Sequence, residues 1–113
     1  MMIVTKTISL GDLKIMASAA FGNLVKAVVD VARGCVAIDA ELHSDLEGLL
    51  LDDGSLQHDL WGINLYPDLS GDDFIEFDSM INMRPSQGNM TRGVDAAEIR
   101  EKIKAVVSQR IAR

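Results

Sequence analysis

Two β-rich segments, residues 24–31 and 35–41, constrain the fold of this chain more than any other feature. Small or β-branched apolar residues occupy every second position in both segments, so they share one face of a strand. These residues are Val25, Ala27, Val29, Val31, Val36, Ile38 and Ala40. The opposite face carries Lys26, Asp30, Asp39 and Glu41. Because Gly34 can adopt the positive φ of a tight turn, the pattern predicts a β-hairpin with one dry and one wetter face.

The rest of the chain alternates between helix and strand patterns. Capping residues followed by an acid three positions later predict three helix starts. These caps are Ser9, Ser44 and Asp95. Strand patterns occupy residues 3–7, 60–66 and 73–79. A cluster of Pro, Asp, Ser and Gly between the last two strands predicts a second hairpin, and residues 81–94 lack periodicity and are predicted to form a loop.

The resulting order, β-α-β-β-α-β-β-α, predicts an α+β fold. We expect a single domain over residues 1–113, with a five-stranded, mostly antiparallel sheet and helices packed on one face. A chain of 113 residues with 48% hydrophobic side chains can bury one core of ordinary size.

Charge and apolar content limit where the chain resides and what it binds. No apolar run reaches the roughly 20 residues of a membrane-spanning helix. Residues 1–6 lack the charged lead and long apolar stretch of a secretion signal, and the single Cys35 fits a reducing compartment. The net charge of -6 and the pI near 4.7 disfavour binding to nucleic acid and to acidic membranes. We therefore expect a cytoplasmic protein with no membrane partner.

Several strings of residues are distinctive in combination. They are residues 23–30 (NLVKAVVD), 41–43 (ELH), 59–67 (DLWGINLYP), 74–82 (FIEFDSMIN) and 84–89 (RPSQGN). Together they resemble a family of short prokaryotic proteins of unknown function, and the similarity covers nearly the whole chain. The resemblance implies a single-domain cytoplasmic protein, and it implies no established activity.

The loop from 81 to 94 is the leading candidate for a binding site. The candidate ligand-binding residues are Arg84, Ser86, Gly88, Asn89 and Arg92. Arginine offers a planar fork of donors to phosphate or carboxylate, and glycine lets backbone N–H groups approach a ligand closely. The positive end of the following helix would face the same region. The alternative is that both arginines pair with the protein's own carboxylates and hold the loop in place.

Carboxylates two positions apart form a second candidate site. Asp39 and Glu41 share one face of a predicted strand, and Glu76 and Asp78 share one face of another. If the two hairpins are neighbours, Asp39, Glu76 and Asp78 could hold a divalent ion for phosphoester hydrolysis. A solvated acidic face is the alternative, and we expect no resident metal or cofactor.

Two histidines, His43 and His58, flank the middle helix, and each has an aspartate nearby. A histidine beside a carboxylate could act as a general base. Neither histidine has the spacing of a zinc ligand, and Cys35 has no partner cysteine. The sequence therefore favours two surface histidines.

Apolar side chains near the loop indicate self-association. The mean hydropathy of +0.14 is high for a small domain. The apolar residues concerned are Trp61, Tyr66, Met80, Met83 and Met90. A homodimer interface would bury them, because methionine adapts to irregular surfaces and aromatic residues are enriched at interfaces. The alternative is that they fill the core.

The leading functional hypothesis is a small, homodimeric binding module that holds an anionic small molecule at the Arg84–Arg92 loop. One alternative is a metal-dependent phosphoester hydrolase that uses the carboxylate face. Another is a protein-interaction domain with no small-molecule ligand. Which of these applies depends on the strand order, because that order decides which side chains meet.

Overall fold

A five-stranded antiparallel sheet forms the centre of the computed structural model, which describes all 113 residues. The strands are β1 (Met2–Val4), β2 (Ile8–Ser9), β3 (Val25–Asp30), β4 (Cys35–Ile38), β5 (Leu60–Leu65), β6 (Ile75–Glu76) and β7 (Ile111–Ala112). The helices are α1 (Leu10–Ala19), α2 (His43–Asp52) and α3 (Ala97–Arg110). The central sheet has the order β1-β4-β3-β5-β6, which confirms the predicted α+β fold with an antiparallel sheet. A short parallel pair, β2 with β7, was not predicted.

The predicted first hairpin is present as β3 and β4, with Asp30 opposite Cys35. Gly34 has a φ of 70° in the turn, as expected. Asp30, which was predicted on the wetter face, is fully buried. Its carboxylate accepts hydrogen bonds from two turn N–H groups and from the Ser55 hydroxyl, so its oxygens are satisfied inside the protein.

Helices cover both faces of the sheet, so the prediction that they pack on one face was wrong. Helices α1 and α3 pack on the face that carries Ala27, Val29 and Ile63. Helix α2 packs on the opposite face through Leu46 and Leu50. Helix α2 is needed on this second face because the face predicted to be wetter also carries apolar side chains, namely Val28, Cys35 and Ala37. No helix combines the length and the apolar character needed to cross a membrane.

One of the three predicted helix caps is present. The Ser9 hydroxyl accepts a hydrogen bond from the Asp12 N–H at 3.0 Å, as the capping pattern requires. Helix α2 begins one residue before the predicted Ser44 cap, and no side chain caps it. Helix α3 also lacks a side-chain cap, because the Asp95 carboxylate instead binds the Met90 N–H and the Thr91 hydroxyl.

The segment from 79 to 84 covers part of the outer edge of β5. Strand β6 pairs only with the end of β5, so the N–H and C=O of Gly62 face this segment. The Asn82 side-chain amide satisfies both groups, at 2.8 Å and 2.9 Å. Gly62 is required at this position because a Cβ would lie 2.5 Å from the Ser79 Cβ. This close packing fixes the start of the predicted loop.

Candidate functional site

The predicted loop is held together by its own side chains. Arg84 and Asn89 form an antiparallel bridge that closes a turn. The buried Asn89 amide donates to the carbonyl oxygens of Asn82, Thr91 and Gly93 and accepts from the Asp95 N–H. Ser86 and Gly88 lie exposed on this turn, and Gly88 has a φ of 84°. Asn89 therefore uses its hydrogen-bonding groups inside the loop.

Arg84 is also engaged within the protein. Its guanidinium donates to the carbonyl oxygens of Gln57, at 2.7 Å, and of Leu60. It stacks over the Trp61 ring, with its central carbon 4.3 Å from the ring centroid. Burial lowers the pKa of Arg84, and the Glu47 carboxylate opposes that shift. Arg84 therefore holds the loop against β5 through backbone carbonyls and an aromatic ring, rather than through the carboxylate pairs that the sequence suggested.

Arg92 faces a different part of the molecule, a cleft of about 220 Å³ at the start of α2. We call it the α2 cleft. The polar residues that line it are Lys26, Glu41, His43, Ser44, Ser79 and Arg92. The structure therefore places Arg92 and Arg84 in different surroundings, although both belong to the same predicted loop.

Two cations of the α2 cleft have donors that no protein group uses. Arg92 donates from Nε to Asp78 at 2.7 Å, and its two terminal nitrogens make no hydrogen bond. Lys26, on β3, forms no ion pair. Its ammonium nitrogen lies 5.4 Å from the centroid of the Phe21 ring. Strand alternation places Lys26 on the α2 face of the sheet, and the loop brings Arg92 to the same face.

His43, the first residue of α2, is 8% exposed, so the prediction of a surface histidine was wrong. Its Nε2 lies 2.7 Å from the Ile63 carbonyl oxygen and donates to it, since a carbonyl only accepts. Burial lowers the pKa of His43, and the nearby Lys26 and Arg92 add to that effect. The Ile63 carbonyl and Asp78 act in the opposite direction. We expect a neutral imidazole at physiological pH.

The start of α2 adds positive potential to the cleft. The first backbone N–H groups of a helix have no acceptor within the helix, and the helix dipole places partial positive charge there. Leu42 occupies the capping position and cannot accept a hydrogen bond through its side chain. The backbone N–H groups of His43 and Ser44 therefore remain available at the cleft that both residues line, whereas the Asp45 N–H donates to the Leu42 carbonyl oxygen.

Comparison with known proteins identifies a family without assigning chemistry. Residues 2–110 match the family described as Protein of unknown function (DUF5674). The chain belongs to that family. The match covers most of the 113 residues and confirms the resemblance found in the sequence. No curated protein and no solved structure matches the chain. The family therefore does not decide function, and the candidate site depends on geometry alone.

The three carboxylates predicted as possible metal ligands, Asp39, Glu76 and Asp78, do not come together in the fold. Asp39 follows β4 instead of lying in a strand, and its backbone has a φ of 72°. Two strands separate β4 from Glu76 on β6, a gap of roughly 14 Å at about 4.8 Å per strand. Asp78 instead pairs with Arg92. No group of three His, Cys, Asp or Glu side chains is arranged to hold a metal ion, so these carboxylates do not support the hydrolase hypothesis.

The remaining candidates occupy separate environments. Trp61 is 4% exposed and packs in the core, whereas Met80, Met83 and Met90 are exposed. The Tyr66 hydroxyl donates to Glu76. His58 is the surface histidine that the sequence predicted, with Nε2 at 3.4 Å from an Asp59 oxygen.

Sequence reasoning missed Lys26 and His43 as site residues. Alternation along β3 does place Lys26 on the polar side of the strand, which was a usable signal. The burial of His43 has no local signal, because it depends on α2 packing over the second face of the sheet. Lys26 and His43 lie near Arg92 only because β3, β5 and the loop are neighbours in the folded structure.

Proposed function

We propose that this protein is a small-anion binding module and that the anion occupies the α2 cleft. The observation that carries the proposal is the pair Lys26 and Arg92, which line one cleft and have donors that no protein group uses, in a chain of net charge -6. Cations with free donors bind phosphate and carboxylate groups well, and arginine can do so with two parallel hydrogen bonds.

The local charges around the cleft support an anionic ligand. Asp78 neutralises one side of Arg92 and orients its guanidinium through Nε. The start of α2 supplies backbone donors and partial positive charge. Glu41 is the one carboxylate that lines the cleft, and it is exposed. The charged side chains that line the cleft sum to +1 and Asp78 beside Arg92 brings the local sum to zero, so the cleft is less acidic than the whole chain of net charge -6.

The site predicted from sequence is reduced to Arg92 in this proposal. The two terminal nitrogens of Arg84 and the side-chain amide of Asn89 make the hydrogen bonds that close the loop and hold it on β5, and the Arg84 Nε without a partner is buried. Ser86 and Gly88 lie on the exposed turn beside them. Without a free cation on that turn, an anion there would have only weak neutral donors.

Isothermal titration with inorganic phosphate tests the proposal. We expect Lys26→Gln and Arg92→Gln each to weaken binding about tenfold or more, since a hydrogen bond to a charged group contributes about 1.5–3 kcal/mol. Asp78→Asn removes the ion pair between Asp78 and Arg92 but keeps the positive charge of Arg92. The phosphate affinity of this variant should therefore equal or exceed that of the wild type. Lys102→Gln, on the exposed side of α3 and outside the cleft, is the control for loss of one positive charge.

Two results would contradict this assignment. Unchanged phosphate affinity in both Lys26→Gln and Arg92→Gln would remove the anion from the α2 cleft. Loss of binding in a folded Arg84→Lys variant, with binding retained in Arg92→Gln, would return the site to the turn from Arg84 to Asn89.

We also propose that the chain forms a homodimer through its exposed methionines. Met83 and Met90 are the residues on either side of the turn closed by the Arg84–Asn89 bridge. Their exposed fractions are 45% and 63%, and Met80 nearby is 64% exposed. Flexible apolar side chains grouped on one loop suit a self-association surface. The molar mass measured by light scattering tests this proposal.

A further inference from the structure

His43 lines the α2 cleft and has one ring nitrogen that no protein group uses. The hydrogen on Nε2 is committed to the Ile63 carbonyl oxygen at 2.7 Å. The other ring nitrogen, Nδ1, makes no hydrogen bond in the structure, and the residue lines the cleft while 8% exposed. A histidine that lines a cleft with one ring nitrogen unused by the protein can offer that nitrogen to a ligand.

The groups around His43 favour a lone pair on Nδ1. Desolvation disfavours a second proton on the ring. Of the charged groups that face the ring, Lys26 of β3 and Arg92 of the loop oppose protonation, whereas Asp78 favours it. Glu41, before α2, lines the same cleft but lies exposed. In a neutral ring with hydrogen on Nε2, the nitrogen Nδ1 accepts and cannot donate.

We propose that the anion bound here is a phosphate that carries an acidic hydroxyl, inorganic phosphate being the simplest, and that this hydroxyl donates to His43 Nδ1. The inference rests on the proposed anion-binding function and adds the group that distinguishes one oxyanion from another. Near neutral pH, inorganic phosphate retains at least one proton, whereas sulfate retains none. The two anions have the same tetrahedral shape and nearly the same size, so Lys26 and Arg92 alone do not separate them.

The discrimination arises from an unfavourable contact as well as a favourable one. A phosphate hydroxyl gives Nδ1 a donor, which completes the hydrogen bonding of the imidazole. A sulfate oxygen at the same place sets one lone pair against another and leaves two acceptors unsatisfied. Sites that hydrogen-bond one ligand in this way reject an analogue that lacks the proton.

Titration of the wild-type protein with phosphate and with sulfate, near neutral pH, tests the inference. We expect phosphate to bind at least about tenfold more tightly. His43→Gln is the matched variant, because a glutamine side chain can keep an N–H for the Ile63 carbonyl while its only acceptor, the amide oxygen, lacks the ring position of Nδ1. Its affinities for the two anions should become equal, mainly through weaker phosphate binding. His58→Gln, at an exposed histidine, should keep the wild-type selectivity.

The outcomes separate this inference from the proposed function. Binding of neither anion overturns the anion-binding function itself. Equal binding of both anions by the wild type, or selectivity that survives in a folded His43→Gln variant, overturns the role of Nδ1 and leaves the anion cleft in place. Should His43→Gln fail to fold, nitrogen-15 NMR of the wild-type imidazole decides. Phosphate should shift the Nδ1 resonance and sulfate should not, and equal shifts would contradict the inference.

Discussion

Two arginines of one loop differ in what their guanidinium groups contact, and this difference distinguishes a side chain held within the protein from one with free donors. Arg84 donates to two backbone carbonyls and stacks on Trp61. Arg92 has one carboxylate partner and two terminal nitrogens with none. Sequence composition treats these residues as equivalent, because both are arginines between small polar residues. Only the surroundings of each side chain show which donors remain for a ligand.

The structural role of Arg84 predicts a loss of stability on substitution. Arg84→Ala removes the donors to the Gln57 and Leu60 carbonyls and the cation stacked on Trp61. We expect the free energy of unfolding to fall by about 1–3 kcal/mol, mainly through the part-buried Leu60 carbonyl left without its charged donor, since water can reach the exposed Gln57 carbonyl. Urea denaturation measures the change, with Lys102→Ala on the exposed side of α3 as the control. Wild-type stability in Arg84→Ala would mean that these contacts do not hold the loop on β5.

Single residues were predicted correctly where their role depends on close neighbours in the chain. Ser9 caps α1 because its partner, the Asp12 N–H, is three residues away. Asp95 was expected to cap α3 by the same rule, but the Met90 N–H and Thr91 hydroxyl occupy its carboxylate. These hydrogen bonds also lower the pKa of Asp95. The geometry of the loop gives the Asp95 carboxylate to these two donors and not to the N–H groups at the start of α3. The capping pattern in the sequence contains no information about that geometry.

At the scale of elements, the backbone groups on the two edges of β5 find their hydrogen-bond partners in different ways. One edge pairs with β3 over six residues, from Leu60 to Leu65. The other edge pairs with β6 at only two positions. The remainder is covered by Asn82, whose side-chain amide replaces the hydrogen bonds of a missing strand. The sequence predicted the second hairpin but overstated the length of its second strand, because a side chain completes the pairing.

The close approach of the Ser79 segment to β5 predicts the effect of Gly62→Ala. The new Cβ would lie 2.5 Å from the Ser79 Cβ, so the segment must shift. We expect the free energy of unfolding to fall by about 1–3 kcal/mol, the usual cost of overpacking. Ser79→Gly removes the clashing atoms, so the double variant should lose less stability than the sum of the two single variants. Denaturation of all four proteins gives the coupling, and additive losses would contradict the contact.

At the scale of the whole molecule, strand order decides the site. The order β1-β4-β3-β5-β6 places β3 in the centre, so Lys26 lies beside the end of β5 and beneath the start of α2. The same order keeps Asp39 and Glu76 apart. Local patterns predicted most strands and the antiparallel pairing, but they contain no information about which strands are neighbours. The α2 cleft could therefore not be predicted, although each of its cations lay in a segment that was interpreted correctly.

The proposed dimer is the prediction that belongs to the whole molecule. If the exposed methionines form its interface, light scattering should give a mass near twice the 12.3 kDa of the chain. Replacing both Met83 and Met90 by lysine places charges in that interface, and burying unpaired charges is costly, so the double variant should shift towards the monomer. Leu69→Lys, at an exposed apolar residue in the second hairpin turn, should stay dimeric. A wild-type mass near 12.3 kDa at all concentrations would contradict self-association, and a dimer that persists in the double variant would place its interface elsewhere.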